Sequence, residues 1–383
     1  MDALRKRVMT IYGTRPEAIK VAPVIRELEK DPRFESITVV TGQHREMLDQ
    51  VNEVFGITPD RDIDVFEPGQ SLNRLMAKMF ERLDPVLDEV KPDAVLVQGD
   101  TSTVAAASIA AFYRGIPVVH LEAGLRSGNI HSPFPEEANR KITTQISALH
   151  LAPTSTSKAN LLRESVNEDD IVVTGNTVID ALLLAIESDR DVSDPVINQA
   201  ILDGRPILLV TTHRRENWGD AMVGVGRALR ELATRYPQYL LVLPAHRNPV
   251  VRDAILPQVE GLENVLVCEP LPYGEFAQVM KAAHIILTDS GGVQEEAPSL
   301  GKPVLVMREN TERPEAVDAG TVRLIGTDED HIIHEVTRLV DNPEKYAAMA
   351  NAVNPYGDGQ AATRTVAALS QLLGQGLRVD DFA

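Results

Sequence analysis

The 383-residue chain predicts an α/β protein made of two doubly wound, parallel-sheet domains. Three observations predict it. Short aliphatic or β-branched runs alternate with longer helical patterns from start to end, as repeated βαβ units require. Several of those runs are apolar throughout, as in parallel strands covered on both faces. The alternation then restarts after a polar, proline-containing stretch, in a chain too long for one ordinary core.

In the first half the strand-like runs are Val8–Tyr12, Ser36–Thr41, Ala94–Gln98, Val118–Leu121 and Leu149–Ala152. Helical patterns lie between them at Pro16–Asp31, Ser71–Val90 and Ser102–Arg114. The connection to the second half is expected through Thr174–Ile186 and the polar stretch Glu187–Pro206. The second set of strands reads Ile207–Thr212, Leu240–Leu243, Val265–Cys268, Ile285–Thr288 and Val304–Met307, with helices at Ala221–Arg235 and Tyr273–Ala282. Asn354-Pro355-Tyr356-Gly357-Asp358-Gly359 is a turn signal, and an amphipathic helix over Ala361–Leu373 follows it.

Composition narrows the function. Hydrophobic residues are 43% and aromatics only 4%, which suits a Val/Leu/Ile/Ala interior. The net charge of −18 argues against a nucleic-acid binder, which needs a positive field to neutralise phosphates. A few basic groups can still dominate one cleft and hold an anionic small molecule. Cys268 is the one cysteine, so no intrachain disulfide and no cysteine-based metal site is possible. It reads as a small buried hydrophobe. The first apolar stretch stops at Tyr12-Gly13 and the longest, Val104 to Phe112, is far short of a membrane span. A cytoplasmic, soluble protein is expected, with no membrane partner.

In open parallel sheets, ligands bind beyond the carboxyl ends of the strands, and the unusual residues fall there. Asp289-Ser290-Gly291-Gly292 reads as strand, glycine turn and helix start. Backbone N–H groups and Ser290 can hold an anion there, and glycine admits a phosphate closely. A plain N-cap at a tight turn is the alternative for that motif alone. Glu296, further along the helix, could reach a ribose hydroxyl. Arg15, Lys20, His213 and Arg313 are cations in strand-end loops or the following first turns. Each alone suits a solvated surface; four together suit a diphosphate. Neither Walker A nor Gly-x-Gly-x-x-Gly occurs. Asp100, Glu122 and Glu136 are carboxylates in or beyond strand-end loops. Partial desolvation raises a carboxylate towards a pKa useful for proton transfer; an N-cap or salt-bridge role is the alternative. No close-spaced ligand pair with histidine is evident, so no metal is expected.

Taken together, several stretches resemble the non-hydrolysing UDP-N-acetylglucosamine 2-epimerase family. They are Gly13-Thr14-Arg15-Pro16-Glu17-Ala18-Ile19-Lys20, Gln98-Gly99-Asp100-Thr101, His120 through Arg126, Pro133 through Arg140, His213 through Asn217, and the long run from Leu287 to Arg313. The resemblance runs nearly the whole chain. It implies a GT-B fold, two Rossmann-like domains with a cleft between them, over residues 1–178 and 179–360. A last segment, 361–383, would cross back onto the first domain.

The resemblance further implies a homodimer, no cofactor, and UDP-N-acetylglucosamine and UDP-N-acetylmannosamine as ligands. By the family's pattern Arg15, Lys20, His213, Ser290, Gly291, Gly292, Glu296 and Arg313 hold UDP, with Phe276 near the uracil. Asp100, Glu122 and Glu136 fall at the catalytic acids, and His213, on the phosphate side, joins the catalytic set by assisting departure of UDP. Gln43, His44, Gln70, Glu137, Arg214 and His246 match a second, regulatory substrate site. Leu271 departs from the pattern, standing where some relatives place a glutamine. Two other readings use the same nucleotide sugar: a GT-B glycosyltransferase and a hydrolysing epimerase. A non-catalytic nucleotide-sugar sensor is a third.

Overall fold

A computed structural model describes residues 5–42, 45–187, 191–212, 219–245, 248–311 and 313–382. The chain divides into two compact units, one of residues up to Leu184 together with those from Tyr356 onward, the other Ala185–Pro355.

Unit 1 opens with β1 (Lys6–Tyr12), α1 (Arg15–Lys30), β2 (Phe34–Val40), α2 (Arg45–Phe55), β3 (Arg61–Asp62) and α3 (Leu72–Val90). It continues with β4 (Ala94–Gln98), α4 (Ser102–Tyr113), β5 (Val118–Leu121), α5 (Glu136–Ile146), β6 (Leu149–Ala152), α6 (Ser155–Arg163) and β7 (Ile171–Val173). α7 (Thr177–Glu187) carries the chain out of it. The seven strands lie in the order β3-β2-β1-β4-β5-β6-β7, every pair parallel. β4 is buried along its whole length, because helices cover both faces of a parallel sheet. One face packs Met9, Ile11, Val95 and Val97 against Met79, Leu83 and Leu87 of α3.

Unit 2 holds α8 (Pro195–Leu202), β8 (Ile207–Thr211), α9 (Asp220–Arg235), β9 (Leu240–Pro244), α10 (Pro249–Val259), β10 (Val265–Cys268) and α11 (Tyr273–Ala282). After these come β11 (Ala283–Thr288), α12 (Gly291–Glu296), β12 (Val304–Val306), α13 (Pro314–Asp318), β13 (Val322–Leu324), α14 (Glu329–Val340) and α15 (Pro343–Ala350). The strand order is β10-β9-β8-β11-β12-β13, again all parallel. Its core sets Leu229 and Leu232 of α9 and Val336 of α14 against Leu241, Ile285 and Leu287. α16 (Ala361–Leu372) belongs to unit 1 and packs on α1.

The two-domain α/β class expected from the sequence is the observed one. Three short strands were not expected. β3, β7 and β13 have two or three residues each, too few to show a periodicity. The stretch 187–206, expected to be a polar connection, contains α8, capped by Asp194 and opened by Pro195. Cys268 is not fully buried. It sits with Val265–Val267 on the edge strand β10, half-exposed throughout, and burial still pushes its thiol up to about 11. Among the described residues no helix is long and apolar enough to cross a membrane.

In each sheet the strand order reverses once, between β1 and β4 and between β8 and β11. Loops leaving two such neighbouring strands diverge and open a crevice at the carboxyl ends. The residues beyond those four strands define where a ligand can be met.

Candidate active site

Gly13 follows β1, and a side chain there would overlap the hydroxyls of Thr41 and Thr103. Those hydroxyls are bonded to each other at 3.1 Å, so the ends of β2 and β4 close in on the β1 loop. Glu17, in the first turn of α1, is fully buried. Its carboxylate accepts the backbone N–H of Gly13 and of Thr14, each at 2.7 Å, and the Thr101 hydroxyl. One buried acid thus ties the β1 loop to the β4 loop. Burial raises its pKa, against the pull of those hydrogen bonds. Arg15 begins α1 partly exposed and makes no ion pair among the described residues, so its charge is uncommitted.

One turn on, Lys20 pairs with Glu122 at 2.5 Å. Glu122 stands just past β5 with φ at +64°, a left-handed conformation that costs a non-glycine residue about 1–3 kcal/mol and concentrates at functional sites. Its second oxygen accepts from the Gln98 amide, and Asn176 reaches the first at 3.4 Å. The neighbouring loop carries Asp100. His120 braces that loop by its Nε2, 2.7 Å from the Gly99 carbonyl; burial pushes the ring's pKa down to about 4, so it is neutral and donates. The Asp100 carboxylate is raised, by burial first and by Glu122 further, with Arg140 and Lys20 opposing.

Glu136 is the first residue of α5 and half-exposed, where an acid is favoured by the helix dipole. It makes no hydrogen bond or ion pair among the described residues. Arg140, one turn along the same face, contacts Asp100 at 2.6 Å. The structure therefore gathers Lys20, Asp100 and Glu122 at the β1/β4 switch point, and α5, which begins at Glu136, reaches Asp100 through Arg140.

In unit 2, Ser290 and Gly291 follow β11. A side chain at Gly291 would sit 2.9 Å from the Arg313 guanidinium, so glycine lets that cation lie against the turn. Arg313 is itself held by Glu295 at 2.7 Å. Glu296 is buried, accepts the Tyr273 hydroxyl at 3.1 Å, and has its other oxygen folded over Gly292. Phe276 lies half-buried on the first turns of α11. Across the switch point the Thr211 and Thr288 hydroxyls are 2.6 Å apart, fixing the two strand ends.

Of the residues matched to a regulatory site, Gln70 donates to the Val65 carbonyl at 3.1 Å. Glu137 is fully buried, its carboxylate taken up by the N–H groups of Ser127 and Gly128 and by Arg140. Gln43, His44, His213, Arg214 and His246 lie outside the described residues. Among the described residues no group of His, Cys, Asp and Glu is arranged to hold a metal.

The model of a family described as UDP-N-acetylglucosamine 2-epimerase matches residues 26–370. The chain belongs to that family. A UDP-N-acetylglucosamine 2-epimerase of Escherichia coli K12 is 52% identical over 368 residues, 95% of this chain and 98% of its own. The epimerase of Neisseria meningitidis, solved bound to UDP-GlcNAc, is 49% identical with a TM-score of 0.83, over 95% of this chain and all of that one. A co-structure of S. aureus MnaA with UDP shares 42% identity and a TM-score of 0.84 across 99% of this chain and all of that one. Likeness at this coverage makes the two Rossmann-like units the GT-B fold of the 2-epimerase structures.

Set against this family, several site residues had not been singled out from the sequence. Gln98 and Asn176 bond Glu122, Asn139 and Arg140 bond Asp100, and Glu17 and His120 brace the loops beside them. All but Asn176 lie in the motif stretches quoted from the sequence, which gave them no role.

Proposed function

We propose that the chain is a non-hydrolysing UDP-N-acetylglucosamine 2-epimerase, an isomerase that interconverts UDP-N-acetylglucosamine and UDP-N-acetylmannosamine. The observation that carries this reading is the carboxylate pair at the β1/β4 switch point, Asp100 on Arg140 and Glu122 on Lys20, in a member of this family.

The route we assign is elimination. The sugar's C2 hydrogen is not next to a carbonyl, so direct removal would leave an unstabilised carbanion. A base instead takes the C2 proton as the C1–O bond breaks, the C–H electrons forming the C1–C2 double bond. UDP leaves with the C–O pair, and 2-acetamidoglucal remains. A second acid then protonates C2 from the other face while UDP oxygen re-adds at C1. Asp100, Glu122 and Glu136 share the two proton transfers. Arg15, Lys20, Arg313 and His213 bind the diphosphate, and their charge counts most as negative charge grows on the departing oxygen. Ser290, Gly291, Gly292 and Glu296 hold the phosphate and ribose, with Phe276 against the uracil. Gln43, His44, Gln70, Glu137, Arg214 and His246 form a second substrate site that regulates turnover. The protein works as a cytoplasmic homodimer without a cofactor.

Proton NMR of purified protein with UDP-N-acetylglucosamine in deuterated water tests the reading. Deuterium should enter C2 of the product with the nucleotide sugar conserved. Retention of the original hydrogen would rule out elimination. Release of free N-acetylmannosamine would favour a hydrolysing enzyme, and inertness without an acceptor a glycosyltransferase.

A further inference from the structure

α5 presents two adjacent side chains to the Asp100 loop. Asn139 donates its amide to the Asp100 carbonyl at 2.8 Å, which fixes the backbone. Arg140 donates from Nε to the carboxylate Oδ2 at 2.9 Å and sets a second guanidinium nitrogen 2.6 Å from the same oxygen. Its third nitrogen lies 3.0 Å from Glu137, whose buried carboxylate is itself tied to the backbone of Ser127 and Gly128. The guanidinium is wedged between two acids, one of them anchored. Asp100 Oδ1 has no hydrogen-bond partner among the described residues, leaving one oxygen to meet a proton. Glu122 differs: both its oxygens are engaged, by Lys20, Gln98 and Asn176.

We infer that Arg140 is a positioning residue that fixes the Asp100 side chain and holds it as the carboxylate, making Asp100 the group that accepts the C2 proton of the gluco substrate. This rests on the epimerase reading above. The charged groups facing Asp100 are Arg140 from α5, with Glu137 behind it, Glu122 from the end of β5, and Lys20 from α1; His120 on β5 is neutral. Burial and Glu122 favour the protonated acid, and Arg140 is the largest influence against them. Without that cation, Asp100 would be protonated at higher pH and unable to act as base.

The test uses the full chain with Arg140→Met, Arg140→Gln and Arg140→Lys, following kcat/KM against pH from the UDP-N-acetylglucosamine side. In either neutral variant the acid-side limb should move up by about one pH unit or more, with about a tenfold loss of rate below the limb. Raising the pH should recover part of that loss, and UDP affinity should be unchanged. Arg140→Lys should return the limb towards its wild-type position. A rate loss uniform in pH, or a limb that stays put in whichever neutral variant folds, would overturn the inference. Failure of the wild-type protein to turn over the nucleotide sugar would instead overturn the epimerase reading.

Discussion

Asp100 and Glu122 are both carboxylates beside a cation, yet their surroundings ask different things of them. Asp100 is raised by burial and keeps one oxygen open, whereas Glu122 is saturated and held in a left-handed backbone. Asp100→Asn keeps the shape and both Asn139 and loop contacts but cannot take a proton. Its kcat should fall on the order of 10²–10⁴-fold, the usual range for losing a general base, with UDP binding by calorimetry little changed. Glu122→Gln should cost a similar factor and also release Lys20, so UDP affinity should shift in that variant alone. Equal turnover in wild type and Asp100→Asn would remove Asp100 from the chemistry. The sequence made these acids visible by residue type and by their place at strand ends. It did not reveal what grips them: Arg140 meets Asp100 across forty positions, and Asn176 meets Glu122 across still more. Such pairings follow from packing, which no local spacing encodes.

Among the elements, strands such as β1, β4 and β11 were legible because the apolar runs Val8–Tyr12, Ala94–Gln98 and Ile285–Thr288 are buried throughout, while β3, exposed and two residues long, carries no hydrophobic signal at all. α8, α10 and α15 have proline at the first helical turn behind an Asp or Asn cap, a readable signature. α16 shows how an element far along the chain is held. Asp180 on α7 accepts the Ala362 N–H at 2.8 Å, capping α16, while its other oxygen is buried without a partner among the described residues. Burial therefore dominates and raises Asp180 to about 6. An acid raised on folding favours the folded state fully below its unfolded pKa, and that contribution disappears as pH climbs through the folded value. Two pH units correspond to on the order of 3 kcal/mol. Asp180→Asn keeps the acceptor for Ala362 and removes the titration. Relative to wild type, it should gain stability between about pH 4 and pH 6.5, read from denaturant midpoints at several pH values. A constant difference across that window would show that Asp180 does not titrate there.

At the scale of the whole molecule, unit 1 is assembled from two chain segments and unit 2 from one uninterrupted stretch. The proposed roles divide along the same line, with proton transfer in unit 1 and nucleotide binding largely in unit 2. A ligand that binds only the folded protein stabilises it by an amount set by concentration over Kd, about 2.7 kcal/mol at a hundredfold excess. For a unit of this size that is a rise of roughly 5–10 °C. Calorimetry of the full chain should therefore show UDP raising the unfolding temperature in wild type and in Asp100→Asn alike. Arg313→Ala should lose most of the rise, since it removes a diphosphate cation, and Gly291→Ala should do so as well by forcing Arg313 off the turn. If UDP stabilised Arg313→Ala as strongly as wild type, the nucleotide would be held elsewhere. If Asp100→Asn lost the effect, the two tasks would not be separable between the units.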